Sequence, residues 1–171
     1  MYEALSAYVE VRDGRSESGI ARLQRALDDS QRARNVPGHQ ALVARLLLEA
    51  CAEAGDMRAG LAAAERALAM GSLRVWEAEA HRLRGEFLAA LGGAANAVEV
   101  EFERALQVAR RQGAQAQALR AAMSLVRFQV GRGDGPAASG AFTLLAAIID
   151  QFPEGRDTHD LREAAAILAR R

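Results

Sequence analysis

The sequence predicts an all-α protein in which helical hairpins repeat along the chain and stack on one another. One pattern, a turn glycine, a small or branched residue, a bulky residue and an Ala-Leu pair, occurs at least three times and ends at Leu27, Leu68 and Leu106. Between glycine or proline breaks, apolar residues recur at the three- and four-residue spacing of a helix face, and strand signals are absent. Such internal repetition is typical of repeat architectures, whose units bury their apolar sides against each other.

The fullest copy of the pattern lies in residues 93–106, where Gly93 is followed by Val98, Phe102 and the pair Ala105-Leu106. An arginine precedes each of the three Ala-Leu pairs. The pairs begin 41 and 38 residues apart, so each unit has room for two helices and a turn. We therefore interpret the unit as a helical hairpin.

The breaks divide residues 1–171 into one domain of four hairpins followed by a capping helix. The predicted hairpins and the capping helix lie at about 1–35, 38–71, 72–113, 114–152 and 157–170. A hairpin cannot bury its apolar face alone, whereas a stack of hairpins forms a continuous core with a concave surface lined by the first helix of each pair. That surface is where we expect function to lie.

The first hairpin is predicted to begin with a short helix over residues 2–12. Its expected buried face carries the larger apolar side chains, Tyr2, Leu5, Tyr8 and Val9. Ser16 is positioned to cap the next helix, which ends before the stop signal at residues 35–38.

The second and third hairpins are predicted from the same signals. Helices are expected at about 39–54 and 57–70, and Ser72 is expected to cap a further helix that carries Trp76. Gly60 lies inside the second of these helices, where glycine costs about 1 kcal/mol relative to alanine. We expect that the first helix of the same hairpin crosses Gly60 at close range.

The fourth hairpin is predicted to hold helices at about 115–130 and 137–151, joined by a glycine-rich turn over residues 131–136. The first of these helices is apolar nearly all round, so it must be covered on both sides. The last helix is expected to start at Asp157 or Thr158 and to cover this hairpin.

The composition excludes several classes of protein. Lys and Arg total 22 and Asp and Glu total 22, so the chain lacks the positive charge that draws proteins to nucleic acid or anionic membranes. A single cysteine, Cys51, excludes an internal disulfide and indicates a reducing compartment. No apolar run of about 18 residues and no signal-like N-terminus occur, so we expect a cytoplasmic protein without a membrane span.

The pattern of Gly, small residue, bulky residue and Ala-Leu resembles the tetratricopeptide repeat (TPR) superfamily over essentially the whole chain. The repeat length of that superfamily is about 34 residues, so the longer spacing here implies longer helices. The resemblance implies a right-handed α-solenoid of about four TPR-like hairpins plus the capping helix. It also implies a protein or peptide as the partner.

A narrower resemblance begins at Trp76. The runs over residues 76–92, 102–114, 119–125 and 152–164 look like the C-terminal helical arm of large bacterial signalling ATPases. In that family the arm follows a nucleotide-binding module, often with an adenylate cyclase-like or DNA-binding domain at the N-terminus. The resemblance implies an alternative function, an effector-sensing regulatory arm of a multidomain signalling enzyme or transcription regulator. No nucleotide or cyclase chemistry carries over to any residue of this chain.

The sequence offers candidates for a phosphate-binding loop and a metal site, but neither meets the requirements of such a site. The glycine-rich run 131–135 follows a helix, whereas phosphate-binding loops follow a strand, so we interpret it as an interhelical turn. Glu77 and His81 lie four residues apart and could reach one ion, but zinc sites take three or four ligands and His39 and His159 are distant in sequence. No nucleophile and base occur at a usable spacing. We therefore predict no enzyme activity, no metal and no cofactor.

The concave surface is the predicted interaction site. If Gly85 and Ser124 mark close helix contacts, six residues lie on the free side of the inner helices: Arg45, Glu49, Arg82, Glu86, Leu125 and Phe128. The charged four could instead form only exposed pairs at spacing four, each worth a few tenths of a kcal/mol. The apolar two must be covered, first of all by the last helix.

Three functional hypotheses follow. The first is a non-catalytic module that binds a protein or peptide segment, or other domains of a parent chain, in the concave groove. The second is the effector-sensing regulatory arm. The third is self-association as a homodimer through the N-terminal hairpin, since a terminal repeat without a polar outer face exposes its core; Tyr2, Leu5 and Tyr8 are the residues expected in that contact.

Overall fold

The computed structural model describes residues 2–33, 37–71, 73–133 and 135–170, and within these ranges it is helical with no strand. The predicted all-α class is confirmed. The described ranges contain a 3-10 turn at Arg74–Trp76 and nine α-helices: α1 Tyr2–Arg12, α2 Ser16–Arg32, α3 Pro37–Ala54, α4 Met57–Ala69, α5 Glu77–Ala90, α6 Ala95–Gln112, α7 Gln115–Arg132, α8 Gly135–Ile149 and α9 His159–Leu168. None of these helices is both long and apolar enough to cross a membrane.

The helices pack in a regular order. Each helix contacts the one that follows it, and the odd-numbered helices also contact one another in sequence, α1 with α3, α3 with α5, α5 with α7 and α7 with α9. The apolar core forms two clusters, one drawn mainly from α1–α5 and the other from α5–α9. The last helix packs on both α7 and α8 through Leu161 and Ala164, which are buried.

The buried face of α1 is not the one the sequence predicted. Ala4, Ala7 and Val11 are buried, whereas Tyr2, Leu5 and Val9 are 88%, 45% and 54% exposed. The reason is the close approach of α2: a Cβ atom on Gly19 would lie 2.6 Å from Cγ2 of Val11 and 2.7 Å from the carbonyl oxygen of Ala7. Two helices this close need small residues at the contact, so the large side chains of α1 are turned outward.

Several predicted turns and caps differ in detail. Ser16 is the first residue of α2 rather than its cap, and its neighbour Arg15 occupies the cap position without a side-chain hydrogen bond. The predicted cap Ser72 and the predicted stop residues Asn35 and Val36 lie outside the described residues.

The predicted turn over residues 131–136 is shorter than expected. Helix α7 continues through Gly131 to Arg132 and ends at Gly133, which has a left-handed φ of 71°, and α8 already begins at Gly135. Pro136 is compatible with this start, because backbone N–H groups in the first turn of a helix have no acceptor within the helix and proline lacks that N–H.

Two helical glycines are in close contact with phenylalanine rings of the following helix. A Cβ atom on Gly60 of α4 would lie 2.5 Å from Cζ of Phe87 on α5, and one on Gly85 of α5 would lie 2.6 Å from Cε1 of Phe102 on α6. The sequence predicted a close contact at Gly60 correctly but assigned it to the wrong helix, because α5 and not α3 supplies the ring. Both phenylalanines are 1% exposed, so each ring fills space that a side chain on the glycine would need.

We expect Gly60→Ala to destabilise the protein. Overpacking a core costs about 1–3 kcal/mol, which outweighs the gain of about 1 kcal/mol that alanine brings to a helix interior. Gly140 of α8 is the matched control, because it is exposed and a Cβ atom there meets nothing within 4 Å. Urea unfolding should show a lower free energy of unfolding for Gly60→Ala and an equal or higher one for Gly140→Ala. Stabilisation by both substitutions would contradict the close contact between Gly60 and the Phe87 ring.

Candidate functional site

Arg45 and Glu49 lie on α3, as the predicted groove requires, and are paired with each other. Their side chains are 30% and 23% exposed, and Nη2 of Arg45 lies 2.8 Å from Oε1 of Glu49. The Arg45 guanidinium also lies over the Trp76 ring, 4.4 Å from its centroid, which links α3 to the start of α5. The pair is therefore part of a contact between helices and not a free pair on one helix.

Arg82 and Glu86 belong to a buried polar network between α5 and α7. The Arg82 guanidinium donates to Glu79 Oε1 at 2.5 Å and to Glu86 Oε1 at 2.6 Å, and the Ser124 hydroxyl donates to the same Glu86 oxygen at 2.7 Å. The Arg82 side chain is only 14% exposed. The reading of this pair as exposed is wrong for Arg82, whereas the Glu86 side chain is 36% exposed. Glu79 and Ser124, which the sequence analysis did not assign to the pair, are bonded to it.

The network keeps Arg82 charged. Burial lowers the pKa of Arg82, but the hydrogen bonds and negative charges of Glu79 and Glu86 outweigh this effect and raise that pKa above its ordinary value. Its donors are committed to these two carboxylates of its own helix, and Glu86 in turn accepts from Ser124 of α7.

Leu125 and Phe128 are half-buried on α7. Leu125 packs against the second core cluster. We expected α9 to cover Phe128, but its ring contacts involve other residues. The ring meets Phe102 of α6 edge to face, with centroids 6.0 Å apart. The Arg132 guanidinium lies 5.5 Å from the Phe128 ring centroid. Both residues are thus partly covered by neighbouring side chains of the described chain.

Polar contacts connect α1 to α3, α5 to α7 and α7 to α9, and the Arg45–Trp76 contact joins α3 to the 3-10 turn before α5. The Tyr8 hydroxyl donates to Glu53 at 2.8 Å between α1 and α3, and two arginines of α7, Arg120 and Arg127, reach carboxylates of α9 at 2.7 and 2.6 Å. We call the whole set the cross-helix row, and its members are Tyr8, Arg45, Glu49, Glu53, Trp76, Glu79, Arg82, Glu86, Arg120, Ser124, Arg127, Asp160 and Glu163. Four of its members are among the six predicted site residues.

Within each helix the members of the row share one face. They recur at spacings of three or four residues, as in Glu79, Arg82 and Glu86 on α5 or Arg120, Ser124 and Arg127 on α7, and such residues are neighbours on a helix surface. The row thus takes one face each of α3, α5, α7 and α9, together with Tyr8 of α1 and Trp76 of the 3-10 turn.

A second charged cluster, which the sequence did not predict, surrounds Glu101 of α6. This carboxylate is 3% exposed and accepts from Nδ1 of His81 at 2.8 Å, from Arg84 at 2.6 Å and from Arg104 at 3.2 Å. Glu101 lies between Val98 and Ala105 on an otherwise apolar helix face. A glutamate at such a position indicates cationic partners, because a buried carboxylate needs them.

Glu77 and His81, which are four residues apart in the sequence, have different partners in the structure. His81 is held by Glu101, and the nearest cation to Glu77 is Arg111 at 3.9 Å. Among the described residues no three His, Cys, Asp or Glu side chains are placed to hold a metal ion. Burial of Cys51, which is 0% exposed, raises its pKa to about 12, so this thiol stays protonated near neutral pH.

Comparisons with known proteins do not assign a family or a function to the chain. No protein-family model matches the chain, and no curated protein sequence is significantly similar to it.

Proposed function

We propose that this chain is a non-catalytic interaction module, a right-handed stack of four TPR-like hairpins with a capping helix that binds a protein or peptide segment along its odd-numbered helices. The packing order supports the stack: consecutive helices pack together, and α1, α3, α5, α7 and α9 pack on one another in sequence. This order is expected when hairpins stack in a row with their first helices on one side.

The cross-helix row is the observation that carries the proposal. It runs over five helices, a length that suits an extended segment or a helix of a partner. Its end at α7 and α9 is accessible, since Arg127 and Glu163 are 46% and 42% exposed, while at its centre the Arg82 side chain is 14% exposed. Side chains already fixed by ion pairs lose little further freedom on binding, which lowers the cost of association.

The structure determines which residues can test this function. Reversing the charge of Arg82 would break a buried network, so loss of binding would not separate recognition from unfolding. Arg127 and Glu163 form an exposed pair at 2.6 Å, and exchanging them as Arg127→Glu with Glu163→Arg keeps an ion pair while reversing the charge at both positions. The matched control is Asp29→Arg with Arg32→Asp, which exchanges an exposed pair on α2.

Photo-cross-linking identifies the partner and its side of approach. A photoreactive residue placed at Glu49 or Arg127 should capture the same partner, whereas one at Arg25 of α2 or Arg58 of α4 should not, because these exposed arginines lie on even-numbered helices. For the purified partner, the exchanged pair on α7 and α9 should weaken binding about tenfold, equivalent to about 1.4 kcal/mol. Capture only from even-numbered helices, or equal weakening by the α2 control, would contradict the proposal.

The alternative function, an effector-sensing regulatory arm of a multidomain ATP-dependent enzyme or transcription regulator, rests on the sequence resemblance from Trp76 onward. In that case the partner of the row is another domain of the parent chain. A reading frame that continues upstream of Met1 into a phosphate-loop ATPase would decide for it.

Self-association is a third candidate because of the outward face of α1. Tyr2, Leu5 and Val9 follow one another at spacings of three and four and are about half exposed or more, which leaves an apolar stripe. We expect a homodimer through this stripe, with α1 of each copy in contact. Sedimentation at several protein concentrations should show a dimer that Leu5→Glu converts to monomer, and a monomer at all concentrations would exclude it.

A further inference from the structure

The charges of the cross-helix row balance on every helix except α5. Four of its six carboxylates each have one arginine at 2.6–3.4 Å: Glu49 has Arg45, Glu53 has Arg12, Asp160 has Arg120 and Glu163 has Arg127. On α5, in contrast, the two carboxylates Glu79 and Glu86 share the single arginine Arg82. One negative charge is therefore left without compensation at the middle helix of the row.

This excess charge is accessible at Glu86. The Glu79 side chain is only 10% exposed, and both its oxygens accept from Arg82. The Glu86 side chain is 36% exposed, and its Oε1 alone accepts, from Arg82 and from Ser124. In the described part of the chain no donor is bonded to its other oxygen, Oε2. An ionised carboxylate has room for about four hydrogen bonds, so Oε2 can accept a donor from a partner.

Arg82 holds the Glu86 carboxylate in place rather than contacting a partner itself. Its Nε and Nη2 donate to Glu79, its Nη1 donates to Glu86, and its side chain is 14% exposed. An acidic side chain of a partner would meet the unbalanced Glu86 at this point, and like charges in an interface are strongly unfavourable. The centre of the row thus selects a cation.

We propose that the partner segment places a lysine or arginine side chain on Oε2 of Glu86, with Arg82 and Ser124 orienting the carboxylate. The proposal rests on the proposed function, because it names the residue type that the partner presents to the row. The paired charges of the other helices do not favour either sign, so this one contact fixes the register of the segment on the row. Contacts near the centre of an interface carry most of its binding energy.

Titration of the full chain with the blocked tripeptide acetyl-alanyl-lysyl-alaninamide at low ionic strength, followed by amide NMR shifts, tests the proposal. Saturable shifts are expected at residues 82–86 and at Ser124, and they should weaken as salt is added. The neutral tripeptide with glutamine in place of lysine should bind at least about tenfold more weakly, because it lacks the charge-assisted hydrogen bond.

Two variants of the chain complete the test. Glu86→Gln should weaken binding of the lysyl tripeptide about tenfold. Glutamine keeps an oxygen for Arg82 and Ser124, so this variant should fold, which circular dichroism checks. Glu65→Gln is the control and should leave binding unchanged, because Glu65 is an exposed carboxylate of α4 outside the row.

Several outcomes would overturn the cation site. They are the absence of saturable shifts with the lysyl tripeptide, equal binding of the glutaminyl tripeptide, unchanged binding by Glu86→Gln, and equal weakening by Glu65→Gln. The first two involve no change to the protein, so they do not depend on the folding of a variant. Tighter binding of the arginyl tripeptide than of the lysyl one would keep the site and assign it to a guanidinium.

The same variant separates this inference from the proposed function. If a partner captured from the odd-numbered helices binds Glu86→Gln as tightly as the original chain, the partner-binding function stands and the cation site is wrong. If nothing is captured from those helices, the partner-binding function is wrong, whereas the tripeptide titration still decides whether Glu86 binds a cation.

Discussion

Replacing Phe102 by alanine should lower the free energy of unfolding by about 3–5 kcal/mol, the usual cost of truncating a phenylalanine in a packed core. The ring is 1% exposed and is enclosed by the Gly85 backbone of α5 on one side and the Phe128 ring on another. A helix backbone at Gly85 has no side chain that could move into the space. The cavity should therefore stay open, which places the loss towards the upper end of the range.

Urea unfolding followed by circular dichroism measures this loss. Val100 on the same helix is the control, because it is 40% exposed and Val100→Ala should change the free energy of unfolding by no more than about 0.5 kcal/mol. A loss below about 1 kcal/mol for Phe102→Ala would mean that the ring is not the core contact between α5 and α6.

The positions of the helices could be predicted from the sequence because local signals determine them. Glycines at the ends of helices adopt left-handed conformations that other residues avoid, as at Gly55, Gly113 and Gly133. Apolar spacing between those glycines then identifies each helix. The same signals failed at residues 131–136, where Gly131 was read as a break although α7 continues through it.

The faces of the helices were harder to predict because packing decides them. Side-chain size suggested that Tyr2, Leu5 and Val9 of α1 are buried, yet α2 comes so close at Gly19 that only small residues fit. The sequence marked Gly60 as a close contact without identifying Phe87 as the residue that fills it. Which helix faces a glycine depends on the order of stacking, and no local signal gives that order.

The candidate site was predicted only in part, because local spacing gives pairs within a helix but not contacts between helices. Arg45 with Glu49 and Arg82 with Glu86 are four residues apart, so sequence spacing alone predicts each pair. The contacts that turn these pairs into a row join residues far apart in the chain, such as Glu86 with Ser124 or Arg120 with Asp160.

Arg82→Met should destabilise the protein by about 3–5 kcal/mol, because removal of one partner leaves a buried charge without compensation. Glu79 is 8% exposed, and both its oxygens accept from Arg82 at 2.9 and 2.5 Å. Methionine keeps much of the arginine volume, so the loss measures the stranded carboxylate more than a cavity. Exposed Arg127→Met is the control and should cost no more than about 1 kcal/mol, as for a surface ion pair.

The double variant Glu79→Leu with Arg82→Met separates charge burial from packing. Replacing both members of a buried ion pair by apolar residues is often neutral or stabilising, so the double variant should recover most of the stability that Arg82→Met loses. If it is no more stable than Arg82→Met alone, the network holds α5 and α7 together through geometry that leucine and methionine cannot supply. If it is as stable as the original chain, the charged pair of Glu79 and Arg82 is dispensable for folding.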